Sequence, residues 1–377
     1  MKQLFQRLLA LTLCLALSAG CVLGLGGCTS RGTSDGMPPA DAVTQDNTNE
    51  QAQTPPEEIL PLDCDPLTGA KLAENAVQGT RPVAVMLDNS SAALPHSGIA
   101  AASVVYEMVT EGGIPRMMAV FPNAAAIPGK LGPVRSTRDQ FLQLLIPENM
   151  ILLHIGSSVY AADLLNTLQY PTVDGIYLGT MVFGFDDVRA ATRDNSHCFY
   201  TNNDLAAAGI AYKEIAPTGT VDTLFSFVPY DKEPVTPETP AGNAVFSFSP
   251  VAEVAFAYNA ETARYYKTEY GNPQMDEAVG EQVSYTNVLL LSCPVSLKAD
   301  GLVSHFDFTA GEGFYLTRGG LQKVTWKKGV VETPLTVYAE DGSELAVNVG
   351  TSYVAFVDER VLAATLKVDG ASPYTAD

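Results

Sequence analysis

Positive charge is scarce in this sequence: 22 lysines and arginines stand against 42 aspartates and glutamates in 377 residues, for a formal net charge of −20. A surface this acidic is repelled by phosphate backbones and anionic lipid, so nonspecific nucleic-acid binding is disfavoured. Cysteine is thin as well. Three of the six, Cys14, Cys21 and Cys28, fall in the N-terminal segment, leaving Cys64, Cys198 and Cys293 for the body. Three thiols allow at most one disulfide, and we expect mostly buried, unpaired side chains there. No CxxC pair, Cys/His cluster, HxxxH or HxH spacing occurs, so we expect no metal and no cofactor. Ser157 and Ser158 lack the Gly-x-Ser-x-Gly frame of a nucleophile elbow, which disfavours a serine hydrolase. There is no internal repeat.

The N-terminus has the marks of a targeting segment. Lys2 and Arg7 precede an uncharged apolar run from Leu8 to Gly27 that ends in small residues. Its length, roughly 20 residues, would also suit a single transmembrane helix. Leu25-Gly26-Gly27-Cys28 resembles the lipobox of bacterial lipoproteins, which implies cleavage before Cys28 and lipid modification of its thiol. Two or more acyl chains then give stable anchoring, and the expected location is the extracytoplasmic face of the cell membrane. Residues from Thr29 to Glu58 are polar, Pro-rich and nearly free of aliphatic side chains. Such a stretch reads as a disordered tether with a reach of roughly 30 Å.

Beyond the tether the periodicity predicts two domains, an α/β N-terminal domain followed by a mainly β C-terminal domain, α+β overall. The divisions are a signal over residues 1–28, a tether over 29–60, the α/β domain over 61–230, a linker over 231–243 and the β domain over 244–377. Strands are expected at Val83–Leu87, Val104–Val109, Met117–Phe121 and Ile151–Ile155, and helices at Ser136–Ile146 and Ser157–Leu168, with a further one near Asn203. Ser136 and Asp139 suggest a capping box. After the Pro- and Thr-rich stretch Pro229–Gly242 the apolar period becomes two, as in Val245-Phe246-Ser247-Phe248.

Several polar residues fall at expected element boundaries. Asp88 and Asn89 end the first strand, where ligands bind in open α/β sheets, although both residues also favour turns. Glu107 and Glu111 are four apart and share a side of the chain in either a strand or a helix. Gly132-Pro133-Val134-Arg135-Ser136-Thr137-Arg138 opens a helix, so Arg135 and Arg138 could join free backbone N–H groups in holding an anion. Equally, they could pair internally with Glu107 or Glu111. His154 and His197 lie at element boundaries and fit either acid/base work or plain hydrogen bonding.

The segments RPVAVMLDN, PHSGIAAASVVYEMVTEGGIPR, GPVRSTRDQF and HIGSS resemble the YerB-type bacterial lipoproteins, a family of unknown function. YTNVLLL and GEGFYLTRGGLQKVTWKKG are similar to that family's β C-terminal domain. The resemblance implies a lipoprotein with two domains and carries polar motif positions over to Asp88, Asn89, Glu107, Glu111, Arg116, Arg135, Arg138 and His154. Three functions are open. The first is a tethered module that binds an anionic or zwitterionic envelope ligand, such as a cell-wall fragment, through Asp88, Asn89, Arg116, Arg135, Arg138 and His197. The second is an envelope hydrolase using Glu107 or Glu111 with His154. The third is a scaffold whose protein partner, unknown from sequence, would meet an exposed apolar patch around Trp326.

Overall fold

The computed structural model describes residues 62–374; the signal segment, Cys28 and the tether expected over 29–60 lie outside them. The N-terminal half contributes strands β1 (Val83–Asp88), β2 (Val104–Val109), β3 (Pro115–Phe121), β4 (Ile151–His154) and β5 (Val173–Asp174), with helices α1 (Asp139–Leu145), α2 (Val159–Leu168) and α3 (Asn203–Tyr212). The C-terminal half is mostly strand: β6 (Asn243–Ser249), β7 (Ala252–Asn259), β8 (Arg264–Glu269), β9 (Asn287–Cys293), β10 (Ala310–Thr317), β11 (Gly320–Lys327), β12 (Thr336–Ala339), β13 (Ser352–Asp358) and β14 (Lys367–Val368), plus helix α4 (Glu359–Thr365). The fold is therefore α/β in its first half and mainly β in its second.

The halves share one sheet. Eleven strands run in the order β12-β11-β10-β9-β13-β2-β3-β1-β4-β5, with Thr239–Pro240 on the flank of β11. The join is β13, which comes late in the chain yet lies parallel between β9 and β2. Strands at the middle of this sheet are buried at every position, as β1, β3 and β9 are, because both faces are covered. One face packs Met86, Tyr106 and Met118 against Phe141 and Leu145 of α1. The other packs Val105, Met117 and Tyr353 against Phe246, Val254 and Phe256 of a second sheet built on β6, β7, β8 and β14. In β6 and β8 burial alternates, the pattern of a sheet with one face on the core.

Two expectations are corrected. Trp326 is fully buried, its indole N–H donates to the Ser292 carbonyl, and its ring packs edge-on against Phe356, so it presents no exposed patch. Helix α1 begins at Asp139 rather than Ser136, and no capping box forms. Residues 134–137 are extended instead: Val134 bridges to Leu87, the Arg135 N–H donates to the Met86 carbonyl, and the Arg135 carbonyl accepts from Ile155. This strap ties β1 to β4, and the N–H groups of Val134, Arg135 and Thr137, which a helix entry would have left for an anion, are spent on strand-like bonds. Cys64, Cys198 and Cys293 are free thiols, the last two buried.

Candidate functional site

Strands β1, β2, β4, β5, β9 and β13 all run in one direction, so their carboxyl ends gather along a single edge of the central sheet. Open α/β sheets bind ligands beyond such ends. Asp88, Glu107 and His154 stand on that edge, and antiparallel β3 brings Arg116 to it from the opposite direction, in register with Asp88 and Met108. Side chains alternate between faces along a strand. The expected site residues are accordingly divided into separate groups.

The first group faces the α1 side. Asp88 is buried, and its Oδ2 lies 2.7 Å from His197 Nδ1 and 3.1 Å from Arg135 Nε, while Oδ1 accepts the Ser90 N–H. Burial alone would raise the Asp88 carboxyl, but the Ser90 bond and the charges of Arg135 and His197 outweigh it and hold the carboxyl below the usual range. Arg138 grips Glu111 with both arms of its fork, at 2.5 and 2.9 Å. Between these pairs lies Arg116, 8% exposed, whose Nη1 donates to the Ser136 carbonyl at 2.8 Å and whose Nε has no partner. Burial, then repulsion by Arg138 and Arg135, pushes Arg116 down to about 10. Three guanidiniums thus stand beside two carboxylates, with Arg135 about one-third exposed.

The second group faces the other sheet and is sealed. Glu107 is fully buried; it accepts from Asn89 Nδ2 at 2.6 Å and from the Tyr353 hydroxyl at 2.7 Å, and lies 3.1 Å from Lys267 Nζ. Lys267, also fully buried, donates to Glu269 at 2.8 Å, and Asn89 donates to Glu269 as well. Burial opposes the Lys267 charge, yet the two carboxylates outweigh that and raise it above the usual range. Beside the knot, His96 accepts from Gln274 at 3.1 Å and donates from Nε2 to the Asp88 carbonyl at 2.7 Å. No substrate reaches Glu107 in this conformation, so the acid/base role expected of it does not fit its surroundings.

His154 forms a third group, apart from both. Its ring nitrogens meet the Gly156 carbonyl at 2.7 Å and the Thr172 hydroxyl at 3.0 Å, and burial holds it below the usual histidine value. It lines a polar cleft of about 370 Å³ with Ser157, Asp174, Tyr177 and Lys213, into which neither Glu107 nor Glu111 projects. Glu111 is paired with Arg138 and His154 is separated from both glutamates, so the particular set of Glu107 or Glu111 with His154 is not brought together; the carboxylate–histidine pair that does hydrogen-bond among the described residues is Asp88 with His197. Among the described residues no group of His, Cys, Asp and Glu could hold a metal ion, and no helix is long and apolar enough to cross a membrane.

Sequence reasoning missed Lys267, Glu269, His96 and Tyr353. A signal was present for the first two: Tyr265, Lys267 and Glu269 fall at period two on the buried side of β8. A charged pair on the core face of a strand needs a buried counter-charge from elsewhere.

An α/β half and a mainly β half fused through one sheet, with an ionic knot between layers, define the structural class. Residues 67–216 match the family described as "Protein of unknown function (DUF3048) N-terminal domain" and residues 244–354 match its C-terminal domain. The chain belongs to this YerB-type family. It is 26% identical over 307 residues to "Putative lipoprotein YerB" of Bacillus subtilis, covering 81% of this chain and 89% of that one. A crystal structure of the YerB protein from Bacillus subtilis shares the fold, with a TM-score of 0.68 and 24% identity over 78% of this chain and 97% of that one.

Proposed function

We propose that this chain is a lipid-anchored extracytoplasmic protein, tethered through Cys28, that binds an anionic or zwitterionic cell-envelope ligand at the Arg116–Arg135–Arg138 group. The observation that carries the reading is Arg116. A guanidinium that is buried, has an unpartnered Nε and is repelled by two neighbours is costly unless an anion completes its surroundings. Asp88 and Glu111 neutralise two of the three charges and would orient the amines or hydroxyls of a zwitterion. Binding is favoured over hydrolysis because Glu107 is sealed and both nitrogens of His154 are engaged.

The test is calorimetric titration of the purified protein with a muropeptide panel and with inorganic phosphate. Arg135→Ala, in the most exposed member of the group, removes one charge-assisted contact. It is expected to weaken binding about 10- to 100-fold, equivalent to about 1.5–3 kcal/mol. If Arg116→Met and Arg135→Ala lower the melting temperature but leave every titration unchanged, the arginines are structural and the reading fails. Incubation with peptidoglycan followed by mass spectrometry should yield no new products; turnover would replace binding with catalysis.

A further inference from the structure

A second cleft opens farther along the same edge, beyond the carboxyl ends of β2, β9 and β13, where the two halves of the chain meet. It measures about 800 Å³, within the range of small-molecule sites. Its walls are chiefly apolar: Val109 comes from the end of β2, Phe248 from β6, Val295 from the segment just after β9, and Ala364 from α4. Leu297 and Leu302 form the rim and are 61% and 66% exposed. Gly112, in the left-handed region at φ 67° with nothing near the position of a Cβ, keeps one side of the mouth open.

Two features decide what such a cleft could hold. Several backbone groups around it are already bonded within the chain: the Thr110 N–H donates to Ile114, the Thr110 carbonyl accepts from Ser304, and the Val295 N–H donates to Asp358. A hydrocarbon chain asks for no hydrogen bonds and so suits chiefly apolar walls whose backbone is engaged at these points. The mouth carries one cation, Arg360, whose side chain is 77% exposed. Its Nε and Nη2 are fixed on Asp358 at 3.1 and 2.9 Å, and Nη2 also reaches the Val295 carbonyl at 3.3 Å, so the guanidinium is held at the opening. Asp358 offsets part of this charge, but the Arg360 Nη1 makes no hydrogen bond among the described residues and faces solvent with the rest of the exposed guanidinium, so it is free to meet a negative group at the ligand's polar end.

We propose that this cleft binds a single-chain anionic amphiphile, with its hydrocarbon chain between α4 and the Leu297–Leu302 rim and its headgroup at Arg360. The cleft shares no lining residue with the arginine group, so the proposal stands independently of that reading.

The experiment is fluorescence titration of the purified protein with a dansyl-labelled fatty acid, followed by competition with unlabelled palmitate, methyl palmitate and phosphatidylglycerol vesicles. Saturable binding is expected, displaced by palmitate and at least about tenfold less well by its uncharged ester. Ala364→Trp fills the cleft from an exposed position and should weaken binding about tenfold or more at unchanged melting temperature; Arg360→Glu should remove the preference for palmitate over the ester. Arg135→Ala should leave the titration unaltered, which separates this site from the arginine group. Absence of saturable binding overturns the proposal, as does undiminished binding by Ala364→Trp together with Leu302→Lys. Binding to vesicles alone would mark a bilayer-contacting surface, and loss of a dimer on Ala364→Trp would mark a contact between copies; either also overturns it.

Discussion

Lys267→Met is expected to destabilise the protein by about 3–5 kcal/mol, the usual cost of removing one member of a buried ion pair. The ammonium is fully buried, 3.1 Å from Glu107 and 2.8 Å from Glu269, and lies 5.5 Å from the centre of the Tyr353 ring. These groups come from both sheets: Glu107 and Tyr353 stand on β2 and β13, Lys267 and Glu269 on β8. Methionine matches the length of lysine but leaves two carboxyls facing each other around one amide, Asn89. The loss is electrostatic rather than a cavity effect. Replacing Glu107 and Glu269 with glutamine in the Lys267→Met background should therefore recover most of it. Denaturant unfolding checks this through the midpoint at unchanged slope. A loss below about 1 kcal/mol for Lys267→Met would mean that water reaches the knot, contrary to its burial.

The strands of the first half were legible because each is a short apolar run flanked by polar turns. β2 spans the expected residues, and β1, β3 and β4 agree within two residues at either end. What no local pattern contained was the partner of each strand. β13 reads as an ordinary buried strand, and nothing in its own residues says that it inserts beside β2, some 250 positions earlier. Pairing over that separation is decided by whole-sheet packing. The start of α1 was misread for a related reason: Gly132–Arg138 carries the composition of a helix entry, yet it is drawn out by bonds to Met86 and Ile155 on two different strands. Arg135 and Arg138 were expected together at a helix start and lie instead on and just after the extended strap, and their partners followed from which face each strand turns. Asp88 and Glu107 lie on adjacent parts of the edge and point in opposite directions, so one meets Arg135 and the other meets Lys267.

Stability should fall as the pH rises from 7 to 8, and Glu269→Gln should abolish most of that fall. Burial, reinforced by the charge of Glu107 and opposed by Lys267, pushes the Glu269 carboxyl up to about 8. A carboxyl whose folded value exceeds its unfolded value gives stability that is complete below the unfolded value and is lost as pH rises through the folded one. Between the ordinary glutamate range and about 8 the native state therefore holds an extra proton, and stability declines by up to about 1.4 kcal/mol per pH unit. His96 acts in the opposite sense at lower pH. Burial holds it at about 4, so between there and 6.5 the unfolded chain binds the additional proton and stability rises with pH. Glu148, pushed up to about 7 by burial and by Asp222, adds to the decline chiefly below that point and tapers off above it. Lys328, held down to about 8 by burial, begins to act in the opposite sense in this interval, but it and Glu148 are common to both proteins, so the difference between wild type and Glu269→Gln belongs to Glu269. Glutamine reproduces the neutral side chain, and its amide can donate to Asn89 Oδ1, which has no partner in the native fold, if the Asn89 amide turns over. Melting temperatures of the two proteins should then differ least near pH 4.5, where the unfolded glutamate is still about half protonated, and separate steadily toward pH 8, with the variant the more stable. Parallel curves across that interval would place the proton elsewhere and leave the knot as two fixed carboxylates around one ammonium.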